Sequence, residues 1–248
     1  MRVLLAGESW VTHMIHVKGF DSFTTSKYEE GAAWLLEALR GAGLEVDYQP
    51  SHVAQDHFPF SIEELQRYGA VILSDIGSNT LLLHNDTFGK SAVLPNRLEV
   101  LRAYVEQGGG LVMIGGYMSF SGIDGKARYG ETPLGAVLPV ECLPGDDRCE
   151  LPQGVTPRVV APAHPVLAGV PGQWPHFLGY NRFRAKEGST VLLTAGADPF
   201  VVVGTYGRGR SLAFASDCAP HWGPPEFLGW PGYNTFWANA LRWVGGKA

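Results

Sequence analysis

Two groups of residues in this chain combine types and spacings suited to chemistry. Asp217 and His221 stand four positions apart across Pro220, where a turn brings carboxylate and imidazole together. Such a pair acts as general acid and base, or supplies two metal ligands. The second group follows Gly7: Glu8, His13, His16, Lys18 and Asp21, with Trp10 and Phe20 as apolar walls. His13 and His16 share a face if their segment makes a helical turn. This mix fits binding of a substrate or a divalent metal, and equally a polar loop held by bonds to backbone. Asp75, opening Asp75-Ile-Gly-Ser-Asn-Thr80, orients a ligand hydroxyl or a histidine, or caps a turn.

These residues need a frame that gathers them. Arg2–Ala6 is an apolar run ending at Gly7, and reads as a buried strand. Glu8–Ser26 reads as a long polar-aromatic loop, and Lys27–Ala42 as an amphipathic helix stopped by glycine. Leu44–Gln49 is a second strand. Ser61 begins a short helix with a capping box to Glu64. Ala70–Ser74 is a third strand, Ile76–Pro95 a loop, Asn96–Gln107 a helix and Leu111–Ile114 a fourth strand. This alternation predicts a mostly parallel sheet covered by helices, with ligands outside the carboxyl ends of its strands. Glu8 and Asp75 both lie there.

The second half changes character. Glu131–Pro175 is proline-rich, and short β-like runs follow at Arg158–Ala161, Thr190–Thr194, Phe200–Tyr206 and Arg210–Ser216. The last two form a hairpin around Gly207-Arg208-Gly209. Tyr233–Val244 is a closing amphipathic helix. The whole chain reads as one domain, 1–248, a three-layer α/β sandwich with a flavodoxin-like sheet and an antiparallel C-terminal extension.

Gly108-Gly-Gly-Leu-Val-Met-Ile-Gly-Gly-Tyr-Met-Ser-Phe120 resembles the strand and nucleophile turn of class I glutamine amidotransferase-like domains. Gly204 to Trp222 resembles the late strand that leads to their catalytic histidine. Over nearly its full length the chain is similar to uncharacterised members of that superfamily, a group related to ThuA-like proteins. The resemblance implies a cysteine in the turn, where a lowered pKa makes the thiolate a nucleophile. The turn holds Gly116 and Tyr117 instead. Ser119 and Ser121 lack the small neighbours of a nucleophile elbow, and Cys142 lies well downstream. The histidine maps to His221, and the glutamate that should follow it is absent unless Glu226 replaces it. The resemblance thus implies the fold without the usual glutaminase triad.

Composition limits the partners. Net charge is −5 with no basic block, which argues against nucleic acid as the main partner. The apolar amino-terminal run is too short for a signal peptide or a membrane span. Cys142, Cys149 and Cys218 show neither a disulfide framework nor a zinc spacing. The expectation is a cytoplasmic protein with no evident cofactor, with homo-oligomerisation and a divalent metal both left open. Its cleft is lined by Glu8, His13, His16, Asp75, Tyr117, Asp217 and His221. It binds a small polar ligand; alternatively, His221 and Asp217 act on a sugar- or polyol-like substrate by acid–base or metal-assisted chemistry.

Overall fold

The computed structural model describes residues 1–246. Its strands are β1 (Arg2–Gly7), β2 (Ser9–Lys18), β3 (Asp21–Glu30), β4 (Glu45–Gln49), β5 (Ala70–Ser74), β6 (Gly110–Ile114) and β7 (Val140–Cys142). They continue with β8 (Arg148–Val155), β9 (Arg158–Val159), β10 (Phe177–Asn181), β11 (Phe183–Ala185), β12 (Thr190–Ala195), β13 (Asp198–Tyr206) and β14 (Gly209–Phe214). Eight of them form one sheet in the order β4-β1-β5-β6-β14-β13-β12-β9. From β4 to β14 every neighbour is parallel. From β14 onward the pairing is antiparallel. The expected parallel sheet with an antiparallel extension is therefore present.

Burial explains the strands. β5 and β6 are buried at every position, as strands covered on both faces must be, and their sequences are continuous apolar runs. The helices flank the sheet. Ala33–Gly41 packs against Tyr233–Val244, while Arg97–Glu106 packs against Ile62–Leu65, Ser78–Leu82 and Leu134–Val137. The predicted capping box is formed. Ser61 Oγ accepts from Glu64 N–H at 3.3 Å, and Glu64 Oε2 accepts from Ser61 N–H at 3.3 Å.

Three expectations need correction. Glu8–Ser26 is not a loop: Ser9–Lys18 and Asp21–Glu30 are ten-residue strands paired antiparallel from Ser9↔Glu30 to Lys18↔Asp21. The helix expected from Lys27 begins only at Ala33, because Lys27–Glu30 completes this hairpin. Both errors share a cause. The hairpin stands out from the body with both faces exposed, so it lacks the one-sided apolar alternation that marks a half-buried strand. The third correction is Ile76–Pro95, which contains helical turns at Ser78–Leu82 and Asn85–Lys90.

Candidate functional site

In a parallel sheet ordered 2-1-3-4-5, ligands bind where neighbouring crossovers part, beside the first strand. Here that point lies between the carboxyl ends of β1 and β5. Glu8 directly follows β1 and Asp75 directly follows β5. The turn after β6 brings Gly115–Met118 to the same edge, and the segment after β14 brings Asp217 and His221. A cavity of 430 Å³ opens there, lined by Trp10, Asp75, Tyr117, Met118, Ile123, Asp217, Pro220 and His221.

The backbone at this edge is unusual. Glu8, Asp75 and His221 have φ of 51°, 43° and 137°, conformations that side chains with a Cβ seldom adopt. Hydrogen bonds hold the first two. Glu8 N–H donates to Ser74 O at 2.7 Å, while Glu8 O accepts from Gly31 N–H at 2.9 Å and from the Tyr48 hydroxyl at 3.2 Å. Asp75 N–H donates to Ser119 Oγ at 3.2 Å, and Asp75 Oδ1 accepts from Met118 N–H at 2.7 Å.

Behind the cavity sits a buried polar cluster. Glu8 Oε2 accepts from the Ser74 hydroxyl and lies 3.7 Å from Cys218 Sγ. Asp217 Oδ1 accepts from Ala219 N–H at 3.1 Å, and its Oδ2 lies 3.8 Å from His221 Nδ1. Burial raises the Glu8 and Asp217 carboxyls well above the ordinary carboxylate range, and mutual repulsion with Asp75 adds to it. Burial raises the Asp75 carboxyl too. The Cys218 thiol is pushed well up by burial and by the adjacent Glu8 and Asp217, which opposes thiolate formation. Burial also lowers the His221 imidazole below its usual value, favouring the neutral ring.

One wall is aromatic. Tyr117 meets the His221 ring edge-on at 4.4 Å, and His221 stacks on Trp222 at 5.0 Å. Glu150 Oε1 accepts from the Tyr117 hydroxyl at 2.9 Å, and its Oε2 accepts from Trp222 Nε1–H at 3.0 Å. The Arg148 guanidinium lies 4.7 Å from the centre of the Tyr117 ring. Tyr117 therefore spends its hydroxyl on Glu150 and offers the cavity its ring.

Five of the seven expected residues meet at this edge: Asp75, Tyr117, Asp217 and His221 line the cavity, and Glu8 lies behind them. His13 and His16 do not line it. They stand on β2 of the hairpin, where His13 Nδ1 bonds Ser26 Oγ at 2.8 Å and His16 Nε2 bonds Thr25 Oγ1 at 3.3 Å. On a strand, positions i and i+3 face opposite sides, so the two imidazoles cannot join one ligand set. Glu150, Arg148 and Ser74 join the site without a sequence signal, and Cys218, which lacks disulfide or zinc spacing, joins it beside Glu8. Glu150 and Arg148 come from β8, in the proline-rich stretch, and no local pattern links them to Tyr117.

The turn after β6 is packed tightly against Asp75. Gly116 has φ of 143°, and a Cβ added to it would fall 2.7 Å from Asp75 Oδ1. Asp75 occupies the space a side chain at Gly116 would need. Asn181 Oδ1 accepts from Gly116 N–H at 2.9 Å and fixes the turn from the other side.

This sheet order and this edge define a flavodoxin-like α/β protein. Residues 2–246 match the family described as putative glutamine amidotransferase, and the chain belongs to that family. Two solved structures of cytoplasmic proteins from Salmonella typhimurium, the second from strain LT2, are each 52% identical to it. Each match covers 98% of this chain and 99% of the other, with TM-scores of 0.96 and 0.95. A protein of Parabacteroides merdae described as a putative ThuA-like protein shares the fold at 14% identity and a TM-score of 0.60, covering 100% of this chain and 91% of that one. No curated protein matches the chain. Among the described residues no helix is long and apolar enough to cross a membrane.

Proposed function

We propose that this chain is an amidotransferase-like protein without the nucleophile, binding a small polar ligand in the cavity at the carboxyl edge of its sheet. The observation that carries the reading is the cavity itself, 430 Å³ with Asp75 and Asp217 in its lining and Trp10, Tyr117 and His221 as aromatic walls. Carboxylates beside aromatic faces suit a ligand with hydroxyl or amine donors and an apolar face, such as a sugar or polyol. Gly116 with Asp75 packed against it supports the loss of glutaminase chemistry. The relatives from Salmonella support a cytoplasmic location.

A second reading has its own support. His221 Nδ1 lies 3.8 Å from Asp217 Oδ2, near enough for a bound ligand to draw the pair into an acid–base couple. Glu8, Asp217 and Cys218 also offer donor atoms all within 4.8 Å of one another. A divalent ion there would replace the protons that burial favours on these groups. Glu8 and Asp217 suit a hard ion, and Cys218 shifts the preference toward zinc.

A thermal-shift screen of sugars, polyols, amino acids and divalent metals tests both readings, because binding to the native state raises Tm. A ligand at about 100 times its Kd should stabilise by about 2.7 kcal/mol. Asp217→Asn should abolish the shift for an organic ligand or a metal, while His13→Ala should leave it intact. Steady ammonia release from glutamine would overturn the first reading.

A further inference from the structure

The hairpin of β2 and β3 takes no part in the site beyond Trp10 at its base. Ser51 anchors that base, its N–H donating to Ser9 Oγ at 2.7 Å and its hydroxyl to Ser9 O at 3.0 Å. Tyr28 meets His52 edge-on at 5.3 Å. Beyond this the arm stands in solvent. Every residue from Asp21 to Tyr28 is exposed, and Ile15 and Val17 are 74% and 71% exposed. A two-stranded ribbon is marginal in water, and three or more strands are needed for stability. Its free edges carry unpaired backbone donors and acceptors that natural proteins cover or block. There is no proline in Ser9–Glu30 to block them. The arm is also shared: 98% coverage of 248 residues by both Salmonella structures leaves about five unmatched, fewer than the arm contains.

The charges along β3 point to what covers its edge. Asp21 and Lys27 bracket the uncharged run Ser22-Phe-Thr-Thr-Ser26. Lay β3 antiparallel to β3 of a second copy, with the two-fold axis through Thr24. Asp21 then faces Lys27 of the second copy, Ser22 faces Ser26 and Phe23 faces Thr25, and the arrangement repeats across the axis. Moving the axis to Thr25 sets Asp21 against Glu29, a like-charge pair. Opposite charges directly across an antiparallel ladder stabilise it and like charges oppose it, so the charges favour the Thr24 axis.

We propose that this chain self-associates by two-fold pairing of the Asp21–Glu30 strand, with Asp21 opposite Lys27 across the axis. The two ribbons become one four-stranded sheet. The interface is isologous, so it closes at two copies.

Sedimentation velocity over a concentration series tests this with charge reversals at exposed positions. The wild-type protein should pass from monomer to dimer as concentration rises. D21K and K27E should each weaken self-association by roughly tenfold, because each dimer gains two like-charge contacts. The double variant D21K/K27E should recover it. Most specifically, an equimolar mixture of D21K and K27E should form a heterodimer more tightly than either variant pairs with itself, since every cross-axis contact in it is again between opposite charges. A wild-type protein that stays monomeric, a dimer indifferent to both reversals, or a mixture no tighter than its components would each overturn the proposal. Unchanged far-UV circular dichroism of the single variants separates loss of pairing from loss of fold.

Discussion

Glu8 couples the cavity to the stability of the whole fold. It is 1% exposed, and its bonding partners, Ser74 and Cys218, are neutral. Burial raises its folded-state pKa above the unfolded value, so the native state holds the proton more tightly. The stabilisation from the neutral carboxyl is complete below the unfolded pKa and is lost as pH rises through the folded one. Glu8→Gln cannot ionise and should escape that loss. We expect it to match the wild-type Tm at about pH 4 and to exceed it by roughly 2–4 °C at about pH 8, about 1 kcal/mol for a chain this size. Calorimetry at the two pH values checks this; a gain that does not grow with pH would locate the effect elsewhere. Glu8, Asp75 and Asp217 were legible because each follows an apolar run that ends at the sheet edge. Ser74 was hidden inside such a run, and Glu150 reaches Tyr117 only through tertiary folding.

Among the elements, those that bury one clear face or both faces were readable in advance. β1, β5, β6, the β13–β14 hairpin and the helix Tyr233–Val244 stand close to where their patterns placed them. The β2–β3 arm buries neither face, so its strands left no periodic signal. Short helices were also obscure, since one or two turns carry little periodicity, and Ser51–His57 and Ser78–Leu82 depend on a residue outside them. That residue is Arg97, 1% exposed. Its guanidinium donates to Leu81 O at 2.6 Å, Thr80 O at 3.1 Å, Gln55 O at 2.8 Å and Ala54 O at 3.2 Å. These carbonyls lie in the last turns of two helices, where many carbonyls lack a helical partner and the dipole favours a cation, although Ala54 O also accepts from Phe58 N–H at 3.1 Å. Arg97→Met keeps much of the apolar stem but removes all four bonds. We expect it to cost about 3 kcal/mol by urea denaturation, from the carbonyls left unsatisfied. A loss near zero would mean that water takes over their bonding.

At the scale of the whole molecule, the proposed ligand cleft and the proposed pairing edge lie on different parts of the surface. The cleft at the carboxyl edge gathers the polar residues, and the arm carries the self-complementary edge. Trp10 belongs to both, standing on β2 and lining the cavity. Pairing of the arms would restrain β2, so ligand affinity should rise with the fraction of dimer. Titrating a ligand found in the thermal-shift screen against wild type and D21K at equal concentration checks this; identical affinities would show that arm and cleft act independently. The parallel half of the sheet was legible from the alternation of strands and helices. The partnership of β6 with β14 was not, because it joins segments nearly half the chain apart.

That partnership has a consequence during synthesis. β6 pairs with β5 on one side, and on the other with β14, Gly110 against Arg210 and Ile114 against Phe214. At about 5–20 residues per second, the ribosome needs roughly 5–20 s to supply β14 after β6. Through that interval the middle of the finished sheet is an outer edge, with Leu111, Val112, Met113 and Ile114 lacking both their hydrogen-bonding neighbour and the closing helix that later packs there. The nascent chain therefore carries an open apolar strand edge where the mature protein is fully buried, and the last strand of the parallel array closes it.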